Sequence, residues 1–267
     1  MKRTKRNALL SVCLTFVVVL FLSGCQTVKR DSSVEAPIGI ISAMKSEMAL
    51  LLENAEIAHT DTIGGVEYHV GTLEGKPVVL VKAGVGKINA AAGTATLINC
   101  YGVKAILFTG VAGAVRDEIK VTDIVVSTRV LVHDYGQVTN DGFVWGPNSG
   151  TEDGSVPADP DLVRQACDAA VAVVGKDHVF AGTVVTGDQF VASRNYVETL
   201  QKEFDGYATE MEGAAVGLVA HSYQTPFVVI RSMSDKADGE AHESYANFGK
   251  IAADHSAHII MELVRTL

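Results

Sequence analysis

The sequence predicts a single α/β domain with a central, mixed, largely parallel twisted sheet flanked by helices. From residue 37 onwards, short runs rich in Val, Ile and other strand-forming residues alternate with segments of helical periodicity. Hydrophobic residues make up 48% of the chain and charged residues 20%, which is typical of an ordered globular protein with a sizeable core. Neither an internal repeat nor a change of composition divides residues 37–267, so they are predicted to form one domain.

The predicted elements alternate along the chain. Strands are predicted at residues 38–42, 78–82, 105–109, 123–127, 179–185 and 227–231. Helices are predicted at residues 44–54, 87–101, 160–174, 194–204 and 211–221, with a last helix from about residue 245. Residues 133–159 are rich in Gly, Asp, Asn and Pro and are predicted to be a long loop region, of a kind that is often functional.

Residues 1–24 are predicted to be a lipoprotein signal peptide. Four positive charges precede an apolar run at residues 8–22, which is shorter than the roughly 20 residues that a membrane-spanning helix needs. The ending L-S-G-C resembles the bacterial lipobox, so Cys25 is predicted to be acylated and residues 25–36 to form a tether. The alternative is an uncleaved N-terminal anchor. Both predict a protein held at a membrane of the cell envelope, and Gln26 favours the outer membrane if the cell has two.

Charge and cysteine content exclude two classes of function. The formal net charge is −9 at pH 7, so there is no surplus of Lys and Arg to neutralise the phosphates of a nucleic acid. Beyond Cys25, the predicted mature chain contains only Cys100 and Cys167, which are too few for a disulfide framework and match no metal-binding spacing. We therefore expect neither a nucleic-acid partner nor a metal site.

Two glycine-rich stretches follow predicted strands. A-G-V-G-K-I-N spans residues 83–89 and T-G-V-A-G-A spans residues 109–114. Each is predicted to be a turn that either brings backbone N–H groups to a ligand or simply connects a strand to a helix tightly. Neither matches a Walker loop or the dinucleotide-binding fingerprint.

Several acidic and basic residues occupy positions where a ligand site is expected. Arg231 and Asp235 follow a buried strand, at the end where open α/β sheets bind ligands, although an Arg–Asp pair can also stabilise a loop. Glu47 lies early in the first helix, where a negative charge is favourable for structural reasons alone. The pair His133-Asp134 is a candidate catalytic pair, but a structural turn is favoured.

The stretch A-T-E-M-E-G-A-A-V-G-L, residues 208–218, places two carboxylates among small apolar residues. A buried carboxylate is costly unless another group pairs with it. Glu210 and Glu212 are therefore predicted to have specific partners.

Seven blocks occur together, in a fixed order, from about residue 38 to the C-terminus. They are I-G-I-I-S-A-M-K-S-E-M, G-V-G-K-I-N-A-A, F-T-G-V-A-G-A, D-I-V-V-S, T-G-D-Q-F-V-A-S, A-T-E-M-E-G-A-A-V and V-I-R-S-M-S-D. The series resembles the 5′-methylthioadenosine/S-adenosylhomocysteine nucleosidases of the nucleoside phosphorylase superfamily. The resemblance implies a nucleoside phosphorylase-like fold, a homodimer, and hydrolysis of an adenine nucleoside to adenine and a 5-thioribose sugar, without metal or cofactor.

The resemblance also implies roles for individual residues. Asp235 matches the general acid that protonates the purine, Glu47 the residue that activates water, and Arg231 a helper on the same water. Glu212 matches the carboxylate that binds the ribose hydroxyls, and Glu210 a partner of Arg231 behind the site. Phe190 matches the side chain that stacks on the purine, and Val191 the residue whose backbone contacts the edge of the base. Met211 is implied to pack against the sugar, and Met44 and Tyr245 complete the apolar contacts to the sugar and its 5′ group.

Some positions depart from the family pattern. Val111 stands where some members have Ser, and Tyr245 stands where Phe is usual. The segment after His133-Asp134 also differs, so the 5′ group of the substrate is left open. Two alternatives are a phosphorolytic purine nucleoside phosphorylase and a non-catalytic nucleoside-binding lipoprotein. Phosphorolysis requires cations around phosphate, whereas Glu47 suits water, and binding alone requires neither an acid nor a base.

Overall fold

A computed structural model describes residues 35–147 and 151–267 of the protein. The predicted signal peptide, Cys25 and all but the last two residues of the predicted tether lie outside these ranges. Within them, no helix is long and apolar enough to span a membrane.

Twelve strands and six α-helices are assigned in the described ranges. The strands are β1 (Ile38–Ser42), β2 (Glu56–Ile63), β3 (Val66–Leu73), β4 (Lys76–Lys82), β5 (Ala105–Ala114), β6 (Ile124–Val132), β7 (Gly136–Thr139), β8 (Gly142–Trp145), β9 (Ser155–Pro157), β10 (Val179–Thr186), β11 (Gly206–Glu210) and β12 (Phe227–Asp235). The helices are α1 (Lys45–Asn54), α2 (Lys87–Thr96), α3 (Pro160–Val174), α4 (Arg194–Phe204), α5 (Gly213–Ser222) and α6 (Ala241–Thr266). A π-helical turn (Leu97–Tyr101) follows α2, and a 3₁₀ turn (Lys176–His178) precedes β10.

One mixed sheet organises the domain, and the predicted fold class is confirmed. The strands run in the order β11-β10-β6-β12-β5-β1-β4-β3-β2, with β9 paired to β6. The centre is parallel: β1 pairs with β4 and β5, and β5 pairs with β12. Strand β11 also pairs with β5 in the antiparallel sense, so β5, β12, β6, β10 and β11 close into a ring. This closure brings the ends of β11 and β12 to the same stretch of β5.

The central strands are buried on both faces. Successive side chains of a strand point to opposite faces, and neighbouring residues of β1 enter different core clusters, Ile41 on one side and Ile40 on the other. Helix ends are fixed by local signals, as in α3, where the Asp159 carboxylate accepts the N–H groups of Asp161 and Leu162 and Pro160 starts the helix.

Several predicted boundaries are wrong. The glycine-rich stretch at 109–114 is no turn, because β5 continues through it to Ala114. The helix predicted from residue 211 begins at Gly213, since Glu212 has a non-helical backbone (φ −141°, ψ −35°). The predicted long loop at 133–159 contains a hairpin, β7–β8, and strand β9. The last helix begins at Ala241, four residues earlier than predicted.

Candidate active site

A cavity of about 400 Å³ lies where the ends of β11 and β12 meet the second half of β5. Helices α1 and α6 and the segment after β10 complete its wall. The lining side chains include four carboxylates and several apolar and aromatic groups: Glu47, Glu210, Glu212, Asp235, Met44, Val85, Val111, Gln189, Phe190, Val191, Thr209, Met211, Ser234, His242 and Tyr245.

A fully buried arginine lies behind the cavity wall. Arg231, on β12, pairs through Nη2 with Glu210 Oε2 and lies 3.4 Å from Glu212 Oε2. Its guanidinium carbon lies 4.1 Å from the centre of the Phe108 ring. Arg231 is not among the residues that line the cavity. Its positive charge therefore affects the carboxylates of the cavity wall from behind and does not line the cavity itself.

Glu210 is fully occupied by protein groups. Besides Arg231, its carboxylate accepts the N–H groups of Glu212 (3.1 Å) and Gly213 (2.7 Å to Oε2), and the hydroxyl of Thr186. These N–H groups open helix α5, whose first donors have no partner within the helix. The ion pair expected between Glu210 and Arg231 is present, and the carboxylate also caps a helix, which explains why it is tolerated at a buried position.

Glu212 is the carboxylate that remains available to a ligand. Its Oε1 accepts the N–H of Gly86 at 2.8 Å, from the glycine-rich stretch at 83–89. Its pKa is raised to about 7: burial and the charge of Glu210 raise it, while Arg231 and the Gly86 N–H lower it. The raised pKa favours the protonated form of Glu212 more than at an exposed glutamate.

Glu47 is held rigidly in the first turn of α1. Its carboxylate accepts the N–H groups of Ala43 (3.0 Å), Met44 (2.7 Å) and Val111 (3.0 Å). Burial raises its pKa, and the charge of Arg231 partly offsets this. Two oxygens offer about four acceptor positions, so at least one stays open for a water molecule.

The packing around Gly110 explains why a glycine stands at this position of β5. A Cβ at this position would lie 2.1 Å from Arg231 Nη1 and 2.5 Å from Glu47 Oε1. Only a residue without a side chain leaves room for both charged groups. Gly110, in the glycine-rich sequence at 109–114, therefore leaves space beside β5 for the side chains of Arg231 and Glu47.

Asp235 ends β12 opposite Gly113 of β5. Its Oδ1 accepts the N–H of Ala237 at 2.8 Å, and its Oδ2 accepts the hydroxyl of Ser234 at 2.7 Å. Burial raises the pKa of Asp235, while those two hydrogen bonds lower it. The balance favours the protonated acid more than at an exposed Asp.

Aromatic side chains form a further part of the cavity wall. Phe190 stacks on His242, with ring centres 4.5 Å apart and planes at 23°, and Tyr245 lies edge-on to Phe190 at 6.3 Å. The Tyr245 hydroxyl reaches Met44 Sδ at 3.4 Å. This apolar, aromatic surface suits the face of a planar base.

The structure brings nearly all predicted site residues together. Arg231 lies behind the cavity wall. The other nine line it: Asp235, Glu47, Glu212, Glu210, Met211, Met44, Phe190, Val191 and Tyr245. His242 and Gln189 also line it but were not predicted. His242 lies in the first turn of α6, upstream of the helical periodicity in the sequence, so no local signal pointed to it.

The pair His133-Asp134 lies outside the cavity wall. His133 Nδ1 is 2.9 Å from the Tyr196 hydroxyl, and Asp134 pairs with Lys87. Within the described part of the chain, no group of three or more His, Cys, Asp or Glu residues is arranged to hold a metal ion.

Comparison with known proteins agrees with this geometry. Residues 37–265 match the family model described as the phosphorylase superfamily. The 5′-methylthioadenosine/S-adenosylhomocysteine nucleosidase of Bacillus subtilis is 37% identical over 231 residues, which cover 86% of this chain and 99% of the relative. This chain belongs to the 5′-methylthioadenosine/S-adenosylhomocysteine nucleosidase family.

Solved structures related to this nucleosidase family carry two different names. The Neisseria meningitidis nucleosidase, in complex with methylthio-immucillin-A, superposes with a TM-score of 0.80 at 36% identity, covering 87% of this chain and all of that one. The futalosine hydrolase of Helicobacter pylori superposes with a TM-score of 0.78 at 30% identity, covering 86% of this chain and 98% of that one. The shared fold therefore does not by itself select one substrate.

Proposed function

We propose that this protein hydrolyses the N-glycosidic bond of 5′-methylthioadenosine, S-adenosylhomocysteine or a related adenine nucleoside. The products are adenine and a 5-thioribose sugar. The observation that carries this proposal is the concentration of Glu47, Glu212 and Asp235 in one cavity, close to the buried Arg231. The nucleosidase relatives and the neighbour in complex with methylthio-immucillin-A support the same conclusion.

In the proposed reaction, Asp235 supplies the proton that the purine takes as it leaves. A carboxyl group can act as an acid near neutral pH only if its pKa is raised, and burial raises the pKa of Asp235. The Ser234 hydroxyl and the Ala237 N–H hold the carboxyl group in a fixed orientation. Phe190 and His242 provide the surface on which the base stacks.

Glu212 binds the ribose hydroxyls, and Glu47 orients and deprotonates the attacking water. Breaking the bond leaves positive charge on the sugar, which nearby carboxylates stabilise. Arg231 pairs with Glu210 and lies close to Glu212, which limits the repulsion among the acidic groups. Glu47, with three N–H donors fixing it, presents its remaining acceptor position to water.

The charge of the cavity supports hydrolysis over phosphorolysis. None of the described residues that line it is Lys or Arg, and Arg231 is already paired with carboxylates. A phosphate nucleophile would therefore approach several carboxylates without a free cation to receive it. Water carries no charge and meets no such penalty.

Adenine release with and without phosphate tests the proposal. The purified domain should release adenine from 5′-methylthioadenosine equally fast in both buffers and yield the free sugar. Release that depends on phosphate and yields the sugar 1-phosphate would establish phosphorolysis. Binding of the nucleoside without any release would favour the non-catalytic lipoprotein. A parallel assay with S-adenosylhomocysteine compares 5′ groups on the same adenine nucleoside, and futalosine is assayed by release of its own base.

We also propose that the protein is exported and lipid-anchored through Cys25. The support is the sequence alone: a basic start, a short apolar run and L-S-G-C at residues 22–25. Metabolic labelling with an alkyne fatty acid should mark the wild type but not Cys25→Ser. Membrane fractionation then distinguishes the outer from the inner membrane, and labelling of both proteins or neither would contradict lipidation at Cys25.

A homodimer is proposed on the family resemblance and on exposed apolar side chains. Ile88 is 83% exposed and Val138 87%, and Phe143 is about half exposed. Val138 and Phe143 are paired across the β7–β8 hairpin, and neighbouring exposed apolar groups of this kind indicate an interface. Light scattering should give twice the mass of the chain, and Ile88→Glu should shift it towards the monomer. A wild-type mass of one chain would refute the dimer.

A further inference from the structure

Three residues from separate segments are linked by ion pairs and hydrogen bonds beside the cavity. Lys87 begins α2, Asp134 follows β6, and Asp188 follows β10. Lys87 Nζ pairs with Asp134 Oδ1 and lies 3.6 Å from Asp188 Oδ2. The Lys87 N–H donates to Asp188 Oδ1 at 2.9 Å, and the Asp188 N–H donates to Asp134 Oδ2 at 2.8 Å. We name these three residues the Lys87 clamp.

Two of the clamped segments carry groups of the cavity. Gly86, next to Lys87, donates its N–H to Glu212. Residues 189–191, next to Asp188, supply Gln189, Phe190 and Val191 to the wall. One segment therefore holds the carboxylate proposed for the ribose, and the other carries the ring proposed to stack on the base.

The clamp is shielded enough for its charges to matter. The Lys87 and Asp134 side chains are only 23% and 12% exposed, whereas Asp188 is about half exposed. Ion pairs at fully exposed positions contribute little, but screening by water is reduced at partly buried ones. In addition, the Asp188 carboxylate lies at the N-terminus of α2, where a negative charge is favourable.

We propose that Lys87 and Asp134 are positioning residues, which fix Gly86 against Glu212 and the Phe190 segment against the base. The Asp134 carboxylate, facing Lys87 on one side and the Asp188 N–H on the other, couples the ribose end of the site to the purine end. This proposal rests on the proposed function for the identity of the ligand, but the contacts of the clamp do not depend on it.

The ionisation of Glu212 gives the clamp a specific signature. Glu212 faces Glu210 and Glu47, which raise its pKa, and Arg231 and the Gly86 N–H, which lower it. If the clamp opens and Gly86 moves away, the pKa of Glu212 rises. The acid limb of kcat/KM, which reflects the free enzyme, then moves to higher pH.

The experiment compares Lys87→Met, Asp134→Asn and the double variant with the wild type. A misplacement of about 1 Å costs up to about 100-fold in rate, so kcat/KM should fall 10- to 100-fold, mainly through KM. The double variant should lose clearly less than the sum of the two single losses, because both single substitutions remove the Lys87–Asp134 ion pair. Lys82→Met is the matched control, since Lys82 is exposed at the end of β4 and should leave kinetics unchanged.

Hydrogen exchange gives a readout that does not require activity. Peptides containing Gly86 and Asp188 should exchange at least several-fold faster in Lys87→Met and unchanged in Lys82→Met. If the wild type releases no adenine, the proposed function fails, and the exchange result still decides the clamp. Unchanged exchange, or additive kinetic losses with an unshifted acid limb, would overturn it.

Discussion

Glu210→Gln should destabilise the protein and change its pH profile in one step. The substitution keeps the size of the side chain but removes the charge that pairs with the fully buried Arg231. Removing one partner of a buried ion pair typically costs about 3–5 kcal/mol of unfolding free energy. For domains of about 150–250 residues, each kcal/mol lowers Tm by about 2–4 °C, so a loss of about 6–20 °C is expected.

The effect of this substitution on Glu212 has a definite sign. The charge of Glu210 raises the pKa of Glu212, which is about 7. Removing it lowers that pKa, and Arg231 then pairs more strongly with Glu212. Because ribose hydroxyls donate to the ionised carboxylate, the acid limb of kcat/KM should move to lower pH, opposite to the shift expected for Lys87→Met.

Two assays check these expectations. Thermal unfolding monitored by circular dichroism gives the change in Tm. Initial rates of adenine release between pH 5 and 9 give the position of the acid limb of kcat/KM. Thr186→Val is a useful comparison, because it removes a neutral partner of Glu210 and should leave the Arg231 ion pair intact. A Tm loss below 2 °C together with an unmoved limb would refute the assignment of Glu210 as the main partner of Arg231.

Two further predictions concern single groups of the site. Gly113→Ala should lower kcat up to about 100-fold with a smaller effect on Tm, because the new Cβ would lie 2.8 Å from both Asp235 Oδ1 and Ala237 Cβ; a normal kcat would contradict it. The Tm of Glu212→Gln minus the Tm of the ligand-free wild type should increase as pH rises from 5 to 8, because the wild type loses stability over this range and the uncharged Gln does not. The wild-type carboxyl, with its pKa raised from 4.5 to about 7, contributes stability below pH 5, and about 2–3 kcal/mol of it is lost between pH 5 and 8; a pH-independent difference in Tm would contradict the raised pKa.

The sequence predicted most of the buried strands, but neither the buried β11 nor β2 and β3 at the edge of the sheet. Strands β1, β4 and β12 are apolar runs buried on both faces, and such runs stand out in a sequence. Strand β2 was missed because it is exposed along almost its whole length and shows no alternation of apolar and polar residues. Its hydrogen-bond partners, rather than its own side chains, make it a strand.

The site was predicted residue by residue only through the family resemblance. Composition indicated that Glu210 and Glu212 need partners, but it could not separate their tasks, since both have the same chemistry. Tertiary structure separates them: both line the cavity, but the Glu210 oxygens are taken by Arg231 and the start of α5, whereas Glu212 keeps acceptor positions for a ligand. The contribution of His242 depends on the packing of α6 against the segment after β10, which no local pattern encodes.

The contacts of the Lys87 clamp could not be predicted from the sequence either. The glycine-rich stretch at 83–89 and the pair His133-Asp134 were each recognisable, but their spacing of about 50 residues gave no reason to connect them. The pairing of β6 with β10 brings Asp134 and Asp188 to the same end of the sheet, where Lys87 reaches both. Contacts of this kind follow from topology.

The kinetics of Asp235→Asn with 5′-methylthioadenosine test the central claim most directly. The amide cannot donate a proton as a carboxylic acid does, while its size and most of its hydrogen bonds are kept. Loss of general acid catalysis costs about 10²–10⁴-fold, so kcat should fall by that factor, with a dissociation constant within about tenfold of the wild type. A kcat close to that of the wild type would show that the purine leaves without a proton from Asp235.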